Sequence, residues 1–203
     1  MNPYFQTPPV VKNLIIANCV IYLAMSLIPN INLFFSEYLQ LFWCGSPYYH
    51  SYQFVTYMFL HGGFWHLFSN MFALWMFGRT LEYELGSRRF LIYYMICGIG
   101  AALLQMGIAA LTGEIYFRLV GASGAVMGLL LAFGVMHPNN MIYIMPLPFP
   151  IKAKWFVVGY AVLELLLGWS GADSGVAHFA HIGGMLWGLG LLFIWRKQGK
   201  IWF

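Results

Sequence analysis

Charge is what this sequence has least of. Only 8% of its 203 residues are Asp, Glu, Lys or Arg, against 61% hydrophobic, where a soluble domain carries about 25% charged residues. That balance argues against a water-soluble globule and for a polytopic membrane protein. Cysteine is nearly as scarce. The three present, Cys19, Cys44 and Cys97, are too few and too scattered for a disulfide framework or a zinc site. Nor does the N-terminus read as a cleavable signal peptide. Lys12 is the only basic residue near the start, and no small-residue cleavage site follows the first apolar run. With no repeat or low-complexity tract, residues 1–203 read as a single helical domain.

What is present is a series of long apolar runs. Six segments approach the roughly 20 residues that a bilayer crossing requires. They cover about 10–28, 59–77, 90–111, 119–136, 151–169 and 176–195. The expected fold is therefore all-α, a six-transmembrane-helix bundle. The polar residues that stand out in these runs are His61, His66 and Asn70 in the second, Gln105 in the third, Ser123 in the fourth, Glu164 in the fifth, and His178 and His181 in the sixth. Between the first two lies a long apolar loop, 29–58. Its Phe34, Phe35, Tyr38, Leu39, Leu41 and Phe42 recur at helical spacing, and further aromatic residues follow. Such a loop lies in the membrane interface, either as an aromatic belt or as a lateral lid on a membrane site.

The few basic residues set the orientation. With the N-terminus inside, the inner pieces hold Lys12, Arg79, Arg88, Arg89, Lys152, Lys154, Arg196, Lys197 and Lys200, and the outer loops hold only Arg118. Both termini are thus expected in the cytoplasm. The net charge of +4 reads as a topology signal and implies no nucleic-acid partner. The lipid bilayer is the expected surroundings, and the short N-terminus suggests a bacterial inner membrane.

The fourth run contains a serine among small residues, Gly121-Ala-Ser-Gly-Ala125, with Gly128 one turn on. Gly124 and Gly128 form a GxxxG pair that lets a second helix approach backbone to backbone. Ser123 is then either part of a packing seam, bonded back to a carbonyl, or an open nucleophile. Depth favours the nucleophile. Ser123 precedes the inner boundary at His137 by 14 residues, and His181 precedes Trp195 by the same 14, about 21 Å of helix. His66 lies 13 residues before Arg79, about 20 Å, and Asn70 is one turn deeper on the same face. Polar side chains at one depth face the bundle interior or a wet cavity. A neutral imidazole can take the serine proton. His66, Asn70 and the Ser123 amide can donate to a tetrahedral oxyanion.

These residues resemble the rhomboid family of intramembrane serine proteases. The resemblance rests on His66-Leu-Phe-Ser-Asn70 (HxxxN), Gly121-Ala-Ser-Gly124 (GxSG) and Ala180-His-Ile-Gly-Gly184 (AHxGG), in order on alternate runs. Glu82-Tyr-Glu-Leu-Gly86 resembles the family's ExxxG turn, and the whole resemblance covers about residues 53–188. It implies a six-helix rhomboid bundle of the minimal form. It also implies a Ser123–His181 dyad without a carboxylate, oxyanion donors at His66 and Asn70, no cofactor, and transmembrane proteins as substrates. Gly184 and Gly188 would pack the sixth helix on the fourth. Where many rhomboids carry Trp-Arg in the first loop, this chain has Tyr52-Gln53, so that loop is expected to be anchored differently.

Other readings start from other residues. His61 and His66 are five apart, about 140° around a regular helix, and would not share an ion. His178 and His181 could, but no HExxH motif or acidic ligand at matching depth is evident, so no metal site is assigned. A proton relay or small transporter would begin at Glu164, which leaves the three motifs unexplained. A non-catalytic client-binding relative would lack the serine or the histidine. The GASGA sequence also misses the GxSxG elbow of soluble hydrolases. His178 is placed nearer the outer surface than His181, within reach of water or a loop.

Overall fold

A computed structural model describes residues 6–114, 116–143, 149–170 and 177–201 of the chain, which is mostly helical. Helix α1 spans Pro9–Leu27, with proline in the first turn where a missing N–H breaks no helical bond. The chain turns at Ile28 into α2, Pro29–Tyr38. The helical spacing in the first loop ends there. Leu41 and Phe42 are a buried two-residue strand, β1, followed after a turn by the short helix α3, Gln53–Thr56.

The second predicted segment is displaced along the sequence. Helix α4 begins at Phe64, runs to Ala73, widens into a π-helix over Leu74–Gly78 and continues as α5, Arg79–Leu85. His61, Gly62 and Gly63 precede it as irregular backbone, so His61 and His66 do not share a helix as the spacing argument assumed. The wide turn sets the backbone of Gly78 against α1. A Cβ there would stand 3.1 Å from Val11 and 3.2 Å from Phe90.

Helix α6 spans Ser87–Thr112. Strand β2, Arg118–Leu119, pairs antiparallel with β1, Leu41 opposite Leu119 and Phe42 opposite Arg118. That ladder takes up the start of the fourth predicted segment, so α7 begins late and covers only Ser123–Met136. A second small ladder, β3 (Met141–Ile142) with β4 (Ile151–Lys152), leads to α8, Ala153–Ser170. Helix α9 spans His178–Lys197 and packs against α6, α7 and α8. Among the described residues, four helices, α1, α6, α8 and α9, are long and apolar enough to cross a membrane, while α7 is apolar but has only 14 residues.

Three polar fastenings tie the ends together. Glu82, almost wholly buried, accepts the Val10 amide (3.0 Å), the Val11 amide (2.8 Å) and the Ser87 hydroxyl (2.7 Å). It thereby caps the otherwise unsatisfied first turn of α1. Gly86, four residues on, has φ +76°, the left-handed region that favours glycine, and breaks α5 from α6. Arg89 donates to the carbonyl of Lys200 (3.3 Å), and Glu84 meets His137 at 3.0 Å. The N-terminal helix start, the α5–α6 junction and the end of α9 therefore gather at one end of the bundle. Arg118 lies at the other.

The first loop is fastened by Gln53. Its side chain is fully buried; Nε2 donates to the carbonyls of Tyr38 (3.0 Å) and Tyr48 (2.8 Å), and Oε1 accepts the Phe42 amide (3.4 Å). Thr56 adds a hydroxyl bond to the Leu39 carbonyl at 2.8 Å. Tyr52 stays partly exposed and stacks on His50.

Candidate active site

Ser123 owes its setting to the turn before it. Past β2, the Gly121 amide donates to the Tyr57 carbonyl at 2.9 Å, and Gly121 adopts φ +116°. A Cβ at Gly121 would also stand 2.6 Å from His66 Nε2. Conformation and close approach both require glycine here. Gly121 is thus part of a turn against His66, not of a helix–helix seam as its sequence position suggested. Ala122 then caps α7 without any side-chain bond, and Ser123 is the first helical residue, half-buried. The first intrahelical bond is from Val126 to Ala122 (3.0 Å). The amides of Ser123, Gly124 and Ala125 therefore lack intrahelical acceptors and carry the positive end of the helix dipole.

Helix α9 meets that first turn through glycines. A Cβ at Gly184 would fall on the Gly124 carbonyl, and one at Gly124 would meet Ala101 and lie 3.5 Å from the Ala180 carbonyl. One turn on, a Cβ at Gly128 would clash with Cys97 and stand 3.1 Å from the Gly184 carbonyl, while Gly188 packs on Tyr93 and Cys97. His181 lies between Ala180 and Gly184 on the first turns of α9, buried. No hydrogen bond joins Ser123 Oγ to an imidazole among the described residues.

His66, on the first turn of α4, covers Gly121. Asn70 is buried one turn on, its Nδ2 donating to the His66 carbonyl at 2.8 Å. An amide nitrogen has a second hydrogen to offer. His61, which the sequence reading gave no role, packs edge to face on His66 with ring centroids 5.0 Å apart. Tyr57 packs beside the Gly121 turn, its hydroxyl donating to the Gly98 carbonyl at 2.7 Å. Burial raises that hydroxyl well above the ordinary phenol value, so it stays neutral.

The main departure from expectation is Glu164. From α8 its carboxylate reaches both histidines of α9, Oε2 2.7 Å from His178 Nδ1 and Oε1 3.0 Å from His181 Nδ1. His178 is buried and bonded to this carboxylate instead of facing water or a loop. An acidic group does lie at the depth of the two histidines, contrary to the reason given for setting a metal aside. The three residues bring one ligand atom each within 4.8 Å of one another. No sequence pattern pairs a residue 14 positions before one histidine and 17 before the other; the pairing arises only where α8 packs on α9.

A multi-pass helical membrane protein, with a serine at a buried helix start and histidines closing over it, is the class that fold and site define. The Rhomboid domain matches residues 49–198. Rhomboid protein 1, mitochondrial, of Saccharomyces cerevisiae is 33% identical over 68% of this chain and 39% of its own length. RHOMBOID-like protein 6, mitochondrial, of Arabidopsis thaliana is 36% identical over 71% of this chain and 43% of its own. Presenilin-associated rhomboid-like protein, mitochondrial, of Homo sapiens is 30% identical over 71% and 40% respectively. The chain belongs to the rhomboid family. It spans about two-fifths of the length of these relatives. They also overturn the expectation of a bacterial inner membrane with cytoplasmic termini. The relatives are mitochondrial, and another similar protein is chloroplastic, which points to an organellar membrane.

Proposed function

We propose that this chain is an intramembrane serine endopeptidase that hydrolyses peptide bonds in or near transmembrane segments of membrane-protein substrates. The observation that carries the reading is the glycine-mediated contact of the Ser123 turn of α7 with the His181 turn of α9, beneath His66. In this reading the chain crosses six times, through α1, the α4–α5 run, α6, α7, α8 and α9. Because α7 is short, Ser123 opens at a helix start inside the bundle, where a substrate carbonyl can meet its hydroxyl.

The chemistry follows from those groups. Ser123 Oγ attacks the scissile carbonyl carbon while His181 takes the hydroxyl proton. The oxyanion accepts hydrogen bonds from the Ser123 amide, His66 and Asn70, which are preorganised and cost no rearrangement. His181 then gives its proton to the leaving amine, leaving an acyl ester on Ser123. Water, deprotonated by the same imidazole, cleaves that ester and restores the serine. No cofactor takes part.

The test is cleavage of a labelled single-pass substrate by the purified protein in lipid, beside its Ser123→Ala and His181→Ala forms. Cleavage that both substitutions abolish is the expected result. Binding without cleavage in the parent favours a client-binding rhomboid relative, and cleavage that survives Ser123→Ala overturns the serine assignment.

A further inference from the structure

We propose that Glu164 is a positioning residue of this site. It fixes the tautomer and orientation of His181 and stabilises the imidazolium formed when that ring accepts the Ser123 proton. The inference rests on the protease reading above and replaces its two-residue form with a Ser123–His181–Glu164 chain, with His178 as a second anchor of the carboxylate.

A carboxylate inside a span is costly and is kept only where partners compensate it. Glu164 is 3% exposed and has those partners. His178 Nδ1 is 2.7 Å from one oxygen and His181 Nδ1 is 3.0 Å from the other. An ionised carboxylate only accepts hydrogen bonds, so each facing Nδ1 must carry the hydrogen. A neutral ring protonated on Nδ1 has its lone pair on Nε2, the nitrogen a serine proton needs. The His181 contact is short but off the line of a hydrogen bond, and that buried Nδ1 has no hydrogen-bond partner among the described residues. A small rotation of the ring completes the bond. Because His178 holds Oε2, the carboxylate cannot turn its other oxygen away from His181.

A purely structural Glu164 would pin α8 to α9 without touching catalysis, and the experiment separates the two. The full chain in lipid nanodiscs is compared with Ser123→Ala, Glu164→Gln and Glu164→Asp for kcat, KM, thermal unfolding and covalent labelling of Ser123 by a fluorophosphonate. Imidazole nitrogen NMR of the parent reads the tautomers directly. The proposal expects Nδ1-protonated His178 and His181 and unchanged KM in Glu164→Gln. It also expects kcat in that variant to be lower by about a hundredfold to ten-thousandfold, with labelling slowed in parallel and partial recovery in Glu164→Asp. A Glu164→Gln protein that turns over within about threefold of the parent, well short of that loss, overturns it and leaves the serine protease reading intact. A parent in which His181 carries its hydrogen on Nε2 overturns it even if both Glu164 variants fail to fold. Cleavage that persists in Ser123→Ala, or is absent from the parent, overturns the protease reading and this role with it.

Discussion

Glu82 and Val11 lie 71 residues apart in sequence and are joined by a 2.8 Å bond from the Val11 amide to the Glu82 carboxylate. The same carboxylate holds the Val10 amide and the Ser87 hydroxyl, so one side chain fastens α1 to the α5–α6 junction. Glu82→Ala strands these donors in a buried setting, at about 1–3 kcal/mol for each group left unpaired. The expected outcome is a clear drop in thermal midpoint in detergent, with Glu82→Gln in between. An unchanged midpoint in Glu82→Ala would contradict the fastening.

Glycine substitutions should divide by position. Gly184→Ala puts a methyl group onto the Gly124 carbonyl, so α9 must move off α7. Overpacking of this kind costs about 1–3 kcal/mol, and here it also separates the His181 turn from the Ser123 turn, so both stability and cleavage should fall. Gly107→Ala, on α6, meets nothing within 4 Å. It should raise helix stability by about 0.5–1 kcal/mol. Paired unfolding curves of the two variants make the comparison, and equal effects would argue against the α7–α9 contact.

For the oxyanion donors the expectation is kinetic. Asn70→Ala should fold and bind substrate while kcat falls about a hundredfold to a thousandfold, the range for one lost donor. Asn70 also bonds the His66 carbonyl, so an unfolding curve must accompany the rates. Loss of fold together with activity would make Asn70 a structural residue.

Topology can be read with the cysteines already present. Cys44 is exposed, next to β1 at the Arg118 end of the bundle, whereas Cys97 is buried. In sealed, uniformly oriented vesicles a membrane-impermeant maleimide should reach Cys44 from one face. A cysteine placed by Lys200→Cys, beside Arg89, should react from the opposite face. Labelling of both from the same face would break the assignment of ends.

The sequence made some of this legible and hid the rest for physical reasons. His66, Ser123 and His181 stand out because a polar residue in an apolar run is rare and its depth can be counted along a helix. The start of the second span cannot be counted that way. Phe59 and Leu60 are as apolar as membrane residues, yet the backbone turns at Gly62 and Gly63 and the helix waits until Phe64. Gly121 reads as a seam residue from composition, while its positive φ and the imidazole above it are properties of the folded turn. Glu164 is the clearest case. Its expense in a membrane is evident from sequence, but its partners come from another helix whose rotation no one-dimensional pattern records.

The Gln53 fastening has a consequence for how the Arg118 end of the bundle responds to its medium. A primary amide carries no net charge across the physiological pH range, and the Gln53 side chain that makes the three bonds is fully buried. A solvent-exposed ion pair in the same role would weaken as electrolyte shortens the Debye length, about 8 Å at physiological ionic strength. Here the loop base has no such dependence. The Gln53 fastening therefore adds no dependence on ionic strength of its own, and a salt effect on the proposed cleavage would have to be sought at charged groups such as the exposed Glu84–His137 contact.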